Sequence, residues 1–530
     1  MVKSGIYIIN AGVGAGEDGD LEFKTEKSLR INVVNTTEDK IYEYDEAIDL
    51  TGNGCYSCGL LAVLSISLLG MGLDIFGFSV IVTGSGCEFQ LEHWQRSVLL
   101  SMPLVGPILM SITWGYVADT QGRRKALLIA LWGAFMISTT AAFSVNWIML
   151  AVLKVFSSSF SSAVQSLAYA LLNESCSNAV KGIYLLIMTS VLMLFLLSYV
   201  VPAYFVLQFS FSYDLGIITF TPWRLLNLIM SAPLGICAFL AHFYYESPKF
   251  LVNIGREDQA LSHLANIWAR NGGKTDEYPV RRVVLNEERS AKSKDISFIR
   301  SLFQQIVPLF QPPLLWRSLQ LFYLTAVIYC INNSLVMWMP YIIEAFTAGS
   351  ETQNGASSRS LCSILIASGN VSETAGNVTC SSSIGSHTLL SGIIHGLVFS
   401  GITLLQAKIA SRRKALMILF LLVPALSSLG AIFNENNLAS LILYVGMTMT
   451  NLCMGVLFSY YVDLYPTSYS GMIACLGVMV ARLSGLAGIV ALGSFMMTHC
   501  TLTLYVFTGF LLSGILVAVF LPPDVKPKKV

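Results

Sequence analysis

Apolar residues run along this chain in blocks of about twenty, the helical length that about 30 Å of hydrocarbon demands, with short polar stretches between them. Twelve blocks are expected to cross a bilayer: 59–83, 97–118, 126–145, 147–171, 183–207, 223–245, 317–343, 388–409, 414–433, 438–461, 471–495 and 501–521. The polar stretches alternate in charge. Basic residues gather at 123–125, 249–317, 408–414 and 526–529. The intervening loops hold few: Arg96 after the first block, Arg359 after the seventh, none after the ninth or eleventh. By the positive-inside rule both termini and the central loop are cytoplasmic, and an even number of spans agrees. The pattern predicts an all-α membrane protein with twelve transmembrane helices in two pseudo-symmetric six-helix bundles. The expected division is a cytoplasmic tail 1–55, a bundle 56–245, a cytoplasmic central loop 246–316, a second bundle 317–521 and a tail 522–530.

The two halves repeat their charged punctuation. Arg123-Arg124-Lys125 precedes Glu174 by 51 residues, and Arg412-Arg413-Lys414 precedes Asp463 by the same offset. A chain built twice in this way inside lipid is the ground plan of a transporter whose halves face each other.

Composition narrows the class. Hydrophobic residues are 54% of 530 and charged ones 12%, with mean hydropathy +0.66, where a soluble domain carries about 25% charge. A net charge of +1 leaves no basic surface for nucleic acid. The first fifty residues hold no signal-peptide core, so the N-terminus is expected to stay cytosolic. Most of the eleven cysteines lie in apolar segments as small hydrophobes. Gly12-Val13-Gly14-Ala15-Gly16 lacks the spacing of a dinucleotide site, Cys55 and Cys58 lack a second pair for a metal, and no Walker loop is present. Nothing points to an enzyme, a metal or a cofactor.

Two loops stand apart. Residues 256–271 have helical spacing, with Ala260, Leu261, Leu264, Ile267 and Trp268 on one stripe, expected to lie against the bundle or the membrane surface. Residues 346–387 form the one long non-cytoplasmic loop, with glycan sequons at Asn370 and Asn377. Cys362 and Cys380 share that loop on the oxidising side, where a disulfide between them is one expectation and free thiols the other.

Candidate chemistry is concentrated at a few positions. In Gly115-Tyr116-Val117-Ala118-Asp119-Thr120-Gln121-Gly122-Arg123-Arg124, Gly115 permits close helix approach, Asp119 is placed to cap and Gly122 allows a tight turn. Arg123 and Arg124 can then reach Glu174, forming a cytoplasmic gate, with Arg412, Arg413 and Asp463 as its second-half counterpart. Asp74 sits mid-span, where an ionised carboxylate costs about 2.5–3.5 kcal/mol on insertion scales. It reads as a proton carrier or a counter-ion, or else as a carboxylate neutralised by Lys154 or Arg482 for packing. Lys154 lines a cavity or snorkels to the surface. Asn332 and Asn333, with Tyr329 and Trp338, either line a solute cavity or join two helices. Arg482 either holds an anion or pairs with Asp74.

The Gly115–Arg124 string resembles the signature loop of the major facilitator superfamily. Tyr245-Glu246-Ser247-Pro248-Lys249-Phe250-Leu251 and Asp463-Leu464-Tyr465-Pro466-Thr467 resemble segments after spans six and ten of sugar porters, organic cation transporters and the synaptic vesicle glycoprotein 2 group. Ala481-Arg482 resembles an organic cation transporter pattern. The approach to span one, with Asp74, is most similar to insect-type members of the synaptic vesicle glycoprotein 2-like group. Several positions depart from those patterns: Gly77 replaces a second acid, Lys154 an arginine, and Ser157 to Ser162 the usual glycines. Lys408, Ser411 and Ser470 replace the Asp, Gly and Arg of the second half. The resemblance implies a secondary transporter working by alternating access on a small organic solute, charged or neutral, with or without a coupling proton. A monomer in plasma or vesicle membrane is expected. The departures and the sequon-bearing loop support another reading, a transport-deficient membrane glycoprotein of the same fold that binds partners or acts in trafficking.

Overall fold

The computed structural model describes residues 41–284, 306–312, 314–351, 361–363, 384–406, 412–465, 467–496 and 498–522. Each expected span corresponds to helix. In the first half these are α2 (Cys55–Ile75) with α3 (Phe78–Ser85), α4 (His93–Gln121), α5 (Arg123–Ala141), α6 (Trp147–Ser175), α7 (Asn178–Leu192) with α8 (Phe195–Val206), and α9 (Pro222–Ala241). In the second they are α12 (Leu315–Glu351), α13 (Ser386–Gln406), α14 (Arg413–Phe433), α15 (Asn437–Met447) with α16 (Cys453–Asp463), α17 (Thr467–Phe495) and α18 (Cys500–Val519). Among the described residues ten helices are long and apolar enough to cross a membrane. An eleventh is counted when His93–Ser111 and Thr113–Gln121, bent by 51°, are taken as one. The remaining span is α5, whose first turn is Arg123, Arg124 and Lys125.

Local signals start these helices where the sequence places them. The Asn146 side chain accepts from Met149 N at the start of α6, and Pro222 occupies the first turn of α9. Gly122 links α4 to α5 at φ +103°, and a Cβ there would lie 2.5 Å from Glu246 Oε2. Both facts require glycine. Breaks fall inside spans: span one changes helix at Phe76 and Gly77, just beyond Asp74. Small polar side chains fill the seams between helices, with Ser157, Ser158, Ser159 and Ser161 of α6 buried in the first half.

Three shorter helices complete the described part: α1 (Tyr44–Leu50), α10 (Pro248–Asn253) and α11 (Glu257–Arg270). Strand β1 (Ile41–Glu43) pairs in parallel with β4 (Arg282–Val284), Tyr42 opposite Val283. Strands β2 (Tyr213–Asp214) and β3 (Thr219–Phe220) form a short hairpin between α8 and α9. The α11 stripe packs on Tyr44, Ala47 and Ile48 of α1 and on Tyr278 and Val283, while Ile267 joins the bundle core. Helix α11 is therefore sandwiched between the N-terminal segment and the bundle.

One expectation is corrected. Cys362 is bonded to Cys500, not to Cys380, with the two Cα atoms 5.3 Å apart. Disulfides follow Cα separation and Cβ direction rather than proximity in sequence. Here the buried Leu361–Cys362 stretch meets the first residue of α18. Cys87 is also disulfide-bonded. Cys380, Asn370 and Asn377 lie outside the described residues.

Candidate functional site

At mid-depth of the first half, α2 presents Asp74 to α6. Lys154 Nζ donates to Asp74 Oδ1 at 2.7 Å, Ser157 Oγ to the same oxygen at 2.9 Å, and Ser161 Oγ to Oδ2 at 2.7 Å. Lys154, Ser157 and Ser161 lie at i, i+3 and i+7, one face of α6, and all four residues are buried. Lys154 also stands 5.0 Å from the Phe78 ring centroid. Asp74 is thus paired with Lys154 and not with Arg482, and Lys154 does not snorkel. The serines that depart from the family pattern supply the remaining donors to the carboxylate. In the sequence they stand out only as departures from that pattern.

The second half is arranged differently. Arg482 on α17 is half-buried, its Nε has no hydrogen-bond partner, and no carboxylate among the described residues pairs with it. Helix α12, which carries Tyr329, packs along α17. Asn332 and Asn333 are buried on the same helix. Asn332 Nδ2 donates to Asn333 Oδ1 at 3.4 Å, while Asn332 Oδ1 and Asn333 Nδ2 stay unpartnered. Gly485 permits this approach, since a Cβ there would stand 2.3 Å from Asn333 Nδ2. Trp338, one helical step further, donates its indole N–H to Ile489 O at 3.1 Å and so joins α12 to α17. Buried polar atoms without partners are uncommon. Here an unpaired cation and two incompletely bonded amides occur on facing helices.

The gate residues of the first half converge. Arg123 Nε donates to Glu174 at 3.3 Å, and Arg123 Nη1 bonds Ala118 O at 2.7 Å and Asp119 Oδ1 at 3.1 Å. Arg124 takes a different partner: its side chain donates to Ala241 O and His242 O at the end of α9. Two further residues hold the cluster. The Glu246 carboxylate accepts from the backbone N–H of Arg124 at 2.8 Å and of Lys125 at 3.2 Å, capping α5, and Ser247 Oγ donates to Glu174. These residues belong to the first half and to the start of the central loop that follows it. Gly115 does not serve the close helix approach expected of it: it faces open space, with nothing within 4 Å of an added Cβ. In the second half Arg413 reaches Ser459 Oγ at 3.3 Å and the Tyr460 ring, and Arg412 is exposed. Asp463 ends α16, with its side chain outside the described residues.

At the opposite end of the first half, Arg224 of α9 is buried and pairs with Glu88, whose other oxygen accepts from Thr221 and Trp223. Arg224 Nη1 also donates to Ala142 O and Ser144 O, both at 2.8 Å. This cation ties two loops to the start of α9 and is absent from the expected site residues; a single arginine just inside span six was the available clue.

The model of the Major Facilitator Superfamily matches residues 56–489. The putative transporter SVOPL of Mus musculus is 27% identical over 279 residues, covering 50% of this chain and 52% of that protein. The chain therefore matches about half the length of those relatives. The synaptic vesicle 2-related protein of Rattus norvegicus is 22% identical over 506 residues, covering 93% of this chain and 82% of the relative. Among solved structures, the inward-open xylose transporter XylE of E. coli superposes with a TM-score of 0.63 at 14% identity, over 89% of this chain and 98% of that one. A D-xylose–proton symporter superposes at 0.61, also 14% identical, over 90% and 100%. Likeness at that identity establishes the fold. With the family model covering most of the chain and both halves built as that fold requires, this multi-pass membrane protein belongs to the Major Facilitator Superfamily.

Proposed function

We propose that this chain is a secondary transporter carrying a small organic solute by alternating access. Solute binds at mid-depth where α12 and α17 face each other, with Arg482 meeting a charged group and Asn332 and Asn333 completing the polar contacts. The observation that carries this reading is the unpaired Arg482 beside two incompletely bonded amides, in a fold whose only buried carboxylate among the described span residues, Asp74, is already taken. Desolvation of an unmatched guanidinium is expensive unless a ligand or water compensates it. The Asp74–Lys154 pair is the element a coupling proton acts on, because protonating Asp74 releases Lys154. Both termini face the cytosol, and the likeness to synaptic vesicle 2-related protein supports a vesicle membrane. The chain acts as a monomer.

The test is uptake by the purified chain in proteoliposomes across a panel of organic anions, cations and sugars. Arg482→Gln is expected to abolish uptake of the accepted solute. Asp74→Asn is expected to abolish pH-driven accumulation while the protein remains folded; unchanged uptake with an unchanged pH profile removes the coupling role. A second reading has one observation in its favour. Asp74 accepts three donors and stands in a fully satisfied, fixed arrangement, as it would in a membrane glycoprotein that kept the fold for partner binding. A well-folded chain that accumulates nothing from the panel establishes that reading instead.

A further inference from the structure

A cavity of about 590 Å³ lies between the two halves at the end opposite Arg123 and Glu174. It is lined by the start of α4, by Tyr341 of α12 and by the end of α17 at Gly493 and Ser494. Arg96 projects into this group. Its Nε makes one long bond, 3.4 Å to Leu91 O, and its guanidinium carbon stands 5.0 Å from the Tyr341 ring centroid. Among the described residues its two terminal nitrogens make no hydrogen bond and no carboxylate pairs with it.

The acids nearby are engaged elsewhere. Glu88 holds Arg224, Trp223 and Thr221. Glu92 accepts from the Trp94 indole and caps α4. Glu344 accepts from Gly385 N and Thr388 Oγ1. A half-buried guanidinium held by its stem, braced against an aromatic face and left with free donors in a cavity, is built to receive a carboxylate, sulfonate or phosphate. The cation–π contact with the Tyr341 face helps hold the guanidinium in the cavity.

We propose that this cavity is a vestibule site for a small organic anion, taken in or given up on the path to Arg482. The proposal rests on the transporter reading and gives its solute class, an anionic one. Tyr341 and Trp338 touch, with ring centroids 5.6 Å apart, on the helix that also carries Asn332 and Asn333. The two aromatics form the partition between the vestibule and the deeper site, and each compartment holds an unpaired arginine. An anion released by one cation is therefore met by the next, while an organic cation is repelled at both.

The probes are benzoate, benzylammonium and benzyl alcohol, three molecules of nearly one shape and different charge. Each is titrated against the purified full-length chain in detergent micelles, with thermal unfolding and calorimetry as readouts. Benzoate alone is expected to bind. Arg96→Gln is expected to weaken benzoate by about tenfold, the value of one charge-assisted contact, with Arg96→Lys recovering part of it. Arg482→Gln is expected to leave the Arg96-dependent binding in place. Ligand-free unfolding midpoints verify that each variant is folded, and Arg96→Lys serves if the glutamine form is not.

Benzoate binding that is untouched by Arg96→Gln and lost with Arg482→Gln overturns the vestibule while leaving the transporter reading intact. Preference for benzylammonium, or no binding by benzoate, also overturns it. In that case proteoliposome uptake of cations and neutral solutes judges the transporter reading separately.

Discussion

Asp74 shows how a residue's surroundings decide its role. Its carboxylate accepts from one ammonium and two hydroxyls, so it is stabilised by charge and by hydrogen bonds together. Lys154→Met removes the charge and leaves a buried carboxylate with two neutral donors. Breaking a buried pair in this way costs about 3–5 kcal/mol, and the unfolding midpoint in micelles should fall accordingly. The double variant Asp74→Asn with Lys154→Gln removes both charges and should recover most of that loss. A double variant no more stable than the single one shows that the two side chains are not coupled. The sequence made Asp74 conspicuous, because an acid inside an apolar block stands out. Its partner was ambiguous, because Lys154 and Arg482 both lie in spans and sequence carries no distance between them. The serines were legible only as departures from a pattern; their bonds to Asp74 depend on the rotation of α6.

At the scale of elements, the helices were legible because each apolar block must satisfy its own backbone inside lipid. The packing around residues 41–54 was not, since a short charged segment before the first span looks like tail. It is held by side-chain contacts reaching across the sequence. Asn271 Nδ2 donates to Thr51 O, Gly52 O and Ser57 Oγ, Tyr278 OH to Ala47 O, and the Asp49 carboxylate accepts from Asn178 N at the start of α7. Asn271→Ala should free this segment, and limited proteolysis should cut within residues 41–54 several times faster than in the wild type. An unchanged cutting rate places the hold in the β1–β4 pairing instead. The same region contains a pH response. His263 is half-buried, with Nδ1 3.3 Å from Glu246 O and its ring against Tyr245. Burial holds its pKa below the usual histidine value, an effect the adjacent Glu246 only partly offsets. The unfolded segment therefore gains a proton more readily than the folded one as pH falls below about 6.5, the reference histidine value. The stabilisation is present at neutral pH and is lost on acidification through that window. Protease sensitivity of residues 248–284 should rise from pH 7 to pH 5, and His263→Gln should flatten the rise.

For the whole molecule, the question is what the two halves do when they meet. They touch at mid-depth, where the Ser190 and Ser400 hydroxyls are 2.7 Å apart and Asn451 lies against Met193. They touch again toward the end opposite Arg123, where α4 passes α17 so closely that a Cβ on Gly493 would stand 2.0 Å from Ser97 Oγ. Near that contact the Tyr341 hydroxyl lies 3.5 Å from His93 Nδ1. The charged cluster at the other end joins helices of the first half to one another and to the start of α10, with no described residue of the second half taking part, so it stiffens that half as a body. Rigid halves pivoting over a mid-depth contact are what alternating access requires, and the pivot can be tested by pinning the closed side. Ser97→Cys with Gly493→Cys should be bridged by a short bis-methanethiosulfonate, which forms reducible disulfides, although a side chain at 493 must displace both residue 97 and the Trp338 ring, whose nearest carbon lies 2.4 Å from the Cβ position. Bridged protein should lose solute turnover, and reductant should restore it. Single-cysteine variants given the same reagent and reductant control for the native thiols and for the Cys362–Cys500 bond. Turnover that continues at its full rate in bridged protein would mean that α4 and α17 need not part. Solute would then cross by a route that this contact does not gate.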